Sequence, residues 1–149
     1  MTLYEVIKAI EAVAAKQPGV KTIVRNDIYR LNAMPDVKYG VFAWLQEEHT
    51  FSVDSGLQGF AFTLFYADRL TNGGANEVDV QSTGVEVLQN VIRELADAGI
   101  VGAGDVAIRT FNERFSDACA GAFARVRFEV PVGWLCAFDY NIQPDVVYI

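Results

Sequence analysis

The opening segment MTLYEVIKAIEAVAAK places Leu3, Val6, Ile7, Ile10, Val13 and Ala14 on one stripe of a 3.6-residue period, which predicts an amphipathic helix. Thr2 stands at its N-cap position with Glu5 three residues later, the reciprocal capping-box pattern, and Pro18-Gly19 stops it. KTIVRN, Lys21 to Asn26, reads as a short strand. DIYRLNAMPD reads as a loop or an irregular edge strand broken at Pro35. From Lys38 the period changes to two. In YGVFAWLQEEHTF, Tyr39, Val41, Ala43 and Leu45 fall on one face and Phe42 and Trp44 on the other. In GFAFTLFYADR, Phe60, Phe62, Leu64 and Tyr66 oppose Ala61, Thr63 and Phe65. The intervening VDSGLQG carries turn residues, so the two runs form a β-hairpin. Large residues on both faces imply that both are covered, by helices on one side and by another subunit on the other.

Helical spacing returns in VQSTGVEVLQNVIRELADAG, through Gly84, Val87 or Leu88, Val91, Ile92 and Leu95, with Gly99 as a C-terminal stop. DVAIRTF and AGAFARVRFEV, joined by the polar link NERFSDAC, read as two more strands. In the second, Ala122, Ala124, Val126, Phe128 and Val130 alternate with Phe123, Arg125, Arg127 and Glu129, and Pro131 closes it. NIQPDVVYI has no clear period and reads as a flexible arm or an added strand. The expected order is α-β-β-β-α-β-β: an α+β fold, an antiparallel sheet with two helices mainly on one face. One domain over 1–140 is followed by a C-terminal arm at 141–149.

Composition narrows the functional classes. A formal charge of −7 over 149 residues makes a surface that repels nucleic-acid backbones and anionic lipid, so neither is an expected partner. No apolar run approaches the ~18 residues of a membrane helix, and the first helix carries charges where a signal peptide would not. Cys119 and Cys136 lack any CxxC spacing and read as buried reduced thiols of a reducing compartment, so the protein is expected to be cytosolic when made.

Candidate chemistry is sparse. One histidine and two distant cysteines cannot supply an ordinary zinc site, and no cofactor motif is present. Glu47, Glu48, His49 and Asp54 crowd the hairpin end, where carboxylate chemistry is conceivable and a solvated turn is the plainer reading. TNGGAN lacks the lysine of a phosphate loop and is followed by acids. Its glycines suit a tight turn, with Asn76 as helix cap, Asp79 reaching back, and Asp68-Arg69 as an ion pair fixing the strand exit. Trp44 and Trp134 read as core or interface anchors. Arg109, Arg114, Arg125 and Arg127 are the one basic concentration, able to line a sheet face and to form solvated salt bridges or meet an acidic neighbour.

The run YGVFAWLQEEHTF, GFAFTLFYADRLTNGGANEVDVQSTGVEVLQNVIREL and TFNERFSDACAGAFARVRFEV resembles a family of small prophage-encoded virion proteins from Bacteroidetes-type genomes. The order of elements also resembles the tail-terminator and tail-completion proteins of long-tailed bacteriophages. The resemblance implies a structural, non-enzymatic protein without cofactors. It would form a ring, commonly a hexamer, that caps the tail tube and helps join it to the head. Implied partners are other copies and the tail-tube and head-completion proteins. The implied locations are the bacterial cytoplasm during assembly and the tail or neck of the virion. A ring needs one patch to meet a different patch on the next copy. Arg109, Arg125 and Arg127 facing Glu86, Glu94 and Asp97, with Trp44 as an anchor, are the candidate interface. Two other readings stay open: a small adaptor or binding module outside the virion, and a carboxylate-dependent hydrolase.

Overall fold

The computed structural model describes residues 1–27, 37–100, 104–112, 119–131 and 143–149. Helix α1 spans Leu3–Ala15, and its predicted cap is in place. The Thr2 hydroxyl accepts the Glu5 N–H at 3.2 Å, and the Glu5 carboxylate accepts the Thr2 N–H at 2.6 Å. The Thr2 backbone hydrogen bond, followed by that of its side chain, holds the Glu5 carboxyl below its ordinary pKa. Val6, Ile10, Val13 and Ala14 bury the expected stripe.

Strand β1 (Thr22–Arg25) is followed by the long hairpin of β2 (Val41–Phe51) and β3 (Leu57–Arg69). Its register runs from Val41 opposite Ala67 to Phe51 opposite Gln58. Gly56, at φ 70°, makes the turn expected of the Asp-Ser-Gly segment, and the Ser52 N–H reaches the Leu57 carbonyl at 2.8 Å. After a short 3-10 turn at Asn72–Gly74 come α2 (Glu77–Asp97), β4 (Ile108–Asn112), β5 (Cys119–Pro131) and β6 (Val147–Tyr148). Gly73 takes φ 76° in the 3-10 turn, which explains the glycine pair. Gly99, at φ 80°, ends α2 as expected, with the Ile100 N–H bonding the Leu95 carbonyl at 3.1 Å.

The fold is α+β: two helices and a six-stranded sheet in the order β4-β5-β3-β2-β1-β6. The sheet is mixed, which corrects the expectation of a purely antiparallel one. β1 runs parallel to both β2 and β6. The connection from Asn26 to Gly40 is long enough to carry the chain back to the end at which β1 began, so β2 enters in the same direction. The C-terminal segment supplies an added edge strand at Val147–Tyr148.

Both helices share one core with one face of the sheet. Val6, Ile10 and Val13 of α1 and Leu88, Val91 and Leu95 of α2 join Phe42, Phe60, Phe62, Leu64, Tyr66 and Phe128. Trp44, Phe62 and Phe128 form an edge-to-face series at 5.9 and 5.6 Å, each contact contributing about 0.5–1.5 kcal/mol beyond burial. Gly84 lets α2 approach the sheet: a Cβ there would lie 3.1 Å from the Ala122 nitrogen and 3.2 Å from the Tyr66 ring. On the opposite face, Val24, Val41 and Ala43 form a smaller buried cluster with Val37, Tyr39, Phe65 and Ile149 against it.

Candidate interface

The face of the sheet away from the helices carries Arg109, Arg125 and Arg127 of the expected interface. Strand alternation sends Phe123, Arg125, Arg127 and Glu129 of β5 to this side, while Ala122, Ala124, Val126 and Phe128 enter the core. Near β4 the surface is aromatic: Phe65 and Phe123 stack at 5.9 Å, and Phe111 lies 6.3 Å from Phe123. Toward the hairpin end it is ionic. A register shift between Gln46 and Glu48 leaves Glu47 without its own partner on β3. Glu47 lies on this face, as alternation from Ala43 and Leu45 also places it, and it accepts a hydrogen bond from the Thr63 hydroxyl and pairs with Arg125 at 2.9 Å. Arg127 donates to the Thr50 hydroxyl and pairs with Glu129 at 3.1 Å.

The Arg125 and Arg127 pairs therefore follow the solvated-salt-bridge reading, and this part of the face is charge-balanced rather than positive. The pairs are exposed, so each adds at most about 1 kcal/mol. Arg109, on β4 opposite Phe123, is exposed and makes no ion pair with another described residue. Arg114, Trp134 and Cys136 lie outside the described residues.

The acidic partners expected for these arginines lie on α2, across the sheet. Glu86 and Asp97 are exposed, whereas Glu94 bonds Lys16 of α1 at 2.7 Å and ties the two helices together. Trp44 leaves the candidate interface: it is 6% exposed, within the helix-side core, and its buried indole N–H has no hydrogen-bond partner among the described residues. The apolar series alternating along β2 predicts that burial as readily as an interface, and packing decided between them.

The Glu47, Glu48, His49 and Asp54 group is not assembled into a site. Glu47 points to the helix-free face, His49 stacks on the core residue Phe60 at 4.6 Å, and Asp54 is exposed in the turn. A shallow cavity of about 310 Å³ lies nearby, lined by residues including Thr50, Phe51, Leu57, Gln58, Arg127 and Glu129, and by none of those four. Among the described residues, no group of three His, Cys, Asp or Glu is arranged to hold a metal ion.

The expected cap at Asn76 is corrected. Its side chain makes no capping bond; it accepts the Thr71 N–H at 2.7 Å and donates to the Arg69 carbonyl at 3.1 Å, tying the exit of β3 to the start of α2. At the strand exit itself, the Asp68 carboxylate accepts the Arg69 N–H at 2.7 Å, and the Arg69 guanidinium lies 4.7 Å from the centre of the Tyr39 ring. Cys119, at the start of β5, is buried.

One feature escaped the sequence reading. Glu11 is buried on α1 and pairs with Arg25 of β1 at 2.9 Å, and the same guanidinium lies 5.1 Å from the centre of the Tyr148 ring on β6. The available signal was an acid inside an otherwise apolar helical run, Ala9 to Ala15. Together these contacts join α1, β1 and the C-terminal strand.

The chain matches no protein-family model and no curated protein. Among the described residues, no helix is long and apolar enough to cross a membrane, which leaves membrane-crossing by strands untouched.

Proposed function

We propose that this chain is a virion structural protein of the tail-terminator or tail-completion type, self-assembling as a ring at the end of a phage tail tube. Such a ring would stop tube growth and offer a surface for joining the head. The phage assignment comes from the sequence resemblance. The structural observation that favours self-assembly is the separation of two surfaces. The helix-free face carries Phe65, Phe123 and Arg109, and the exposed acids Glu86 and Asp97 sit on α2, beyond the opposite face. One copy cannot bring these together, whereas a head-to-tail neighbour can.

Phe65 and Phe123 supply partly buried aromatic surface of the kind that anchors interfaces, while Arg109, Glu86 and Asp97 suit a charged rim that sets orientation. The acidic net charge keeps the unassembled subunit soluble at high concentration.

The direct test is immunogold electron microscopy of phage particles purified from the source cells, using antibody against this chain. Label confined to one end of the tail supports the assignment. Intact tailed particles with no label, from cells that express the protein, would refute it.

A further inference from the structure

We propose that the cavity at the hairpin end binds a sugar ring through adjacent hydroxyl groups. The site lies within one chain, so it stands apart from the self-assembly reading above.

The floor of the cavity is the helix-free face of the sheet, where β2, β3 and β5 end together. Thr50, Gly59 and Glu129 form one row across the three strands. A glycine inside a strand weakens it and often marks the close approach of another group. Here that group is Arg127: a Cβ at Gly59 would overlap its guanidinium and the Thr50 hydroxyl. The bare backbone lets the guanidinium lie against the sheet. Its Nε donates to the Glu129 carboxylate at 3.1 Å and its Nη2 to the Thr50 hydroxyl at 2.5 Å, which fixes its orientation. Both Nη nitrogens keep N–H donors for a ligand.

Ser52 and Ser55 complete the polar lining. The Ser55 hydroxyl accepts the Leu57 N–H at 3.3 Å, and the exposed Ser52 side chain makes no hydrogen bond with another described residue. Each hydroxyl can both donate and accept. Phe51 and Leu57, both exposed, add apolar surface at the same cavity.

This lining selects the class of ligand. Its formal charges cancel, Arg127 against Glu129, so an anion that gains from one is repelled by the other, and a cation likewise. A neutral group that donates and accepts at once uses both. Adjacent sugar hydroxyls do so, one accepting from an Nη of Arg127 while its neighbour donates to Glu129. The C–H surface of the ring suits Leu57 and Phe51. At about 310 Å³ the cavity stands at the lower end of the ~300–1,000 Å³ of small-molecule sites, which limits the ligand to a single ring.

The test titrates the full-length, isotope-labelled chain and follows its backbone amide resonances. The probes are glucose, galactose, mannose and N-acetylglucosamine, with acetate and methylguanidinium as charged controls. The expected result is a saturable shift at Ser52, Ser55 and Gly59 with at least one sugar, at a Kd of about 1–10 mM. Arg127→Gln is expected to weaken that binding by about tenfold. Ser52→Ala, at an exposed turn position outside the strands, is expected to weaken it severalfold and serves even where Arg127→Gln disturbs the fold. The absence of a saturable shift with any sugar up to about 100 mM overturns the proposal. So does saturation of the same residues by acetate or methylguanidinium as tightly as by any sugar, or sugar binding that Ser52→Ala leaves unchanged.

Discussion

Gly121 has no room for a side chain. It lies opposite Ala67, and a Cβ there would overlap the Tyr66 carbonyl, a backbone atom that cannot rotate aside. Gly121→Ala is expected to destabilise the fold by about 3 kcal/mol, at the upper end of overpacking effects, measured by denaturant unfolding. Tyr66 itself sits where β3, α2 and the segment after α1 meet. Burial, with a smaller contribution from the Asp68 carboxylate, raises its phenol from 10.0 to about 12. Its folded form thus holds the proton more tightly than the unfolded chain. The resulting stabilisation is complete below pH 10 and is lost as the pH rises through about 12. Stability is expected to fall over that interval, with Tyr66 ionising late by phenolate absorbance. Tyr66→Phe, lacking the phenol, is expected to remove that part of the alkaline decline.

At the scale of elements, legibility followed the range of the forces involved. The capping box and apolar stripe of α1, the turn and alternation of β2–β3, and the Gly99 stop of α2 are local patterns, and each appears where expected. Thr2→Ala removes the hydroxyl that accepts the Glu5 N–H, leaves the backbone N–H that donates to the Glu5 carboxylate, and should cost about 1 kcal/mol, checked by thermal or urea unfolding. Parallel pairing of β1 with β2 and β6 was not legible, because it depends on where long connections return the chain rather than on residues within the strands. Asn76 shows the same limit: its type and position suit a helix cap, but the geometry at Arg69 and Thr71 captured its side chain instead.

For the whole molecule, sequence alternation located the arginines correctly but not their partners. Glu47 pairs with Arg125 from a different strand, and no pattern along β5 announces it. Among the described residues of the candidate interface, Arg109 on one side and Glu86 and Asp97 on the other are exposed and make no ion pair with one another or with another described residue. Arg109→Glu and Glu86→Arg are each expected to weaken assembly roughly tenfold, and the doubly reversed chain to recover most of that loss, by light scattering across a dilution series. Self-assembly itself is tested most directly by the mass of the unmodified protein, measured by size-exclusion chromatography with light scattering at increasing concentration. A ring gives one closed oligomer of fixed size that does not grow once formed. A monomer at every concentration, or an open series of ever larger species, would contradict it.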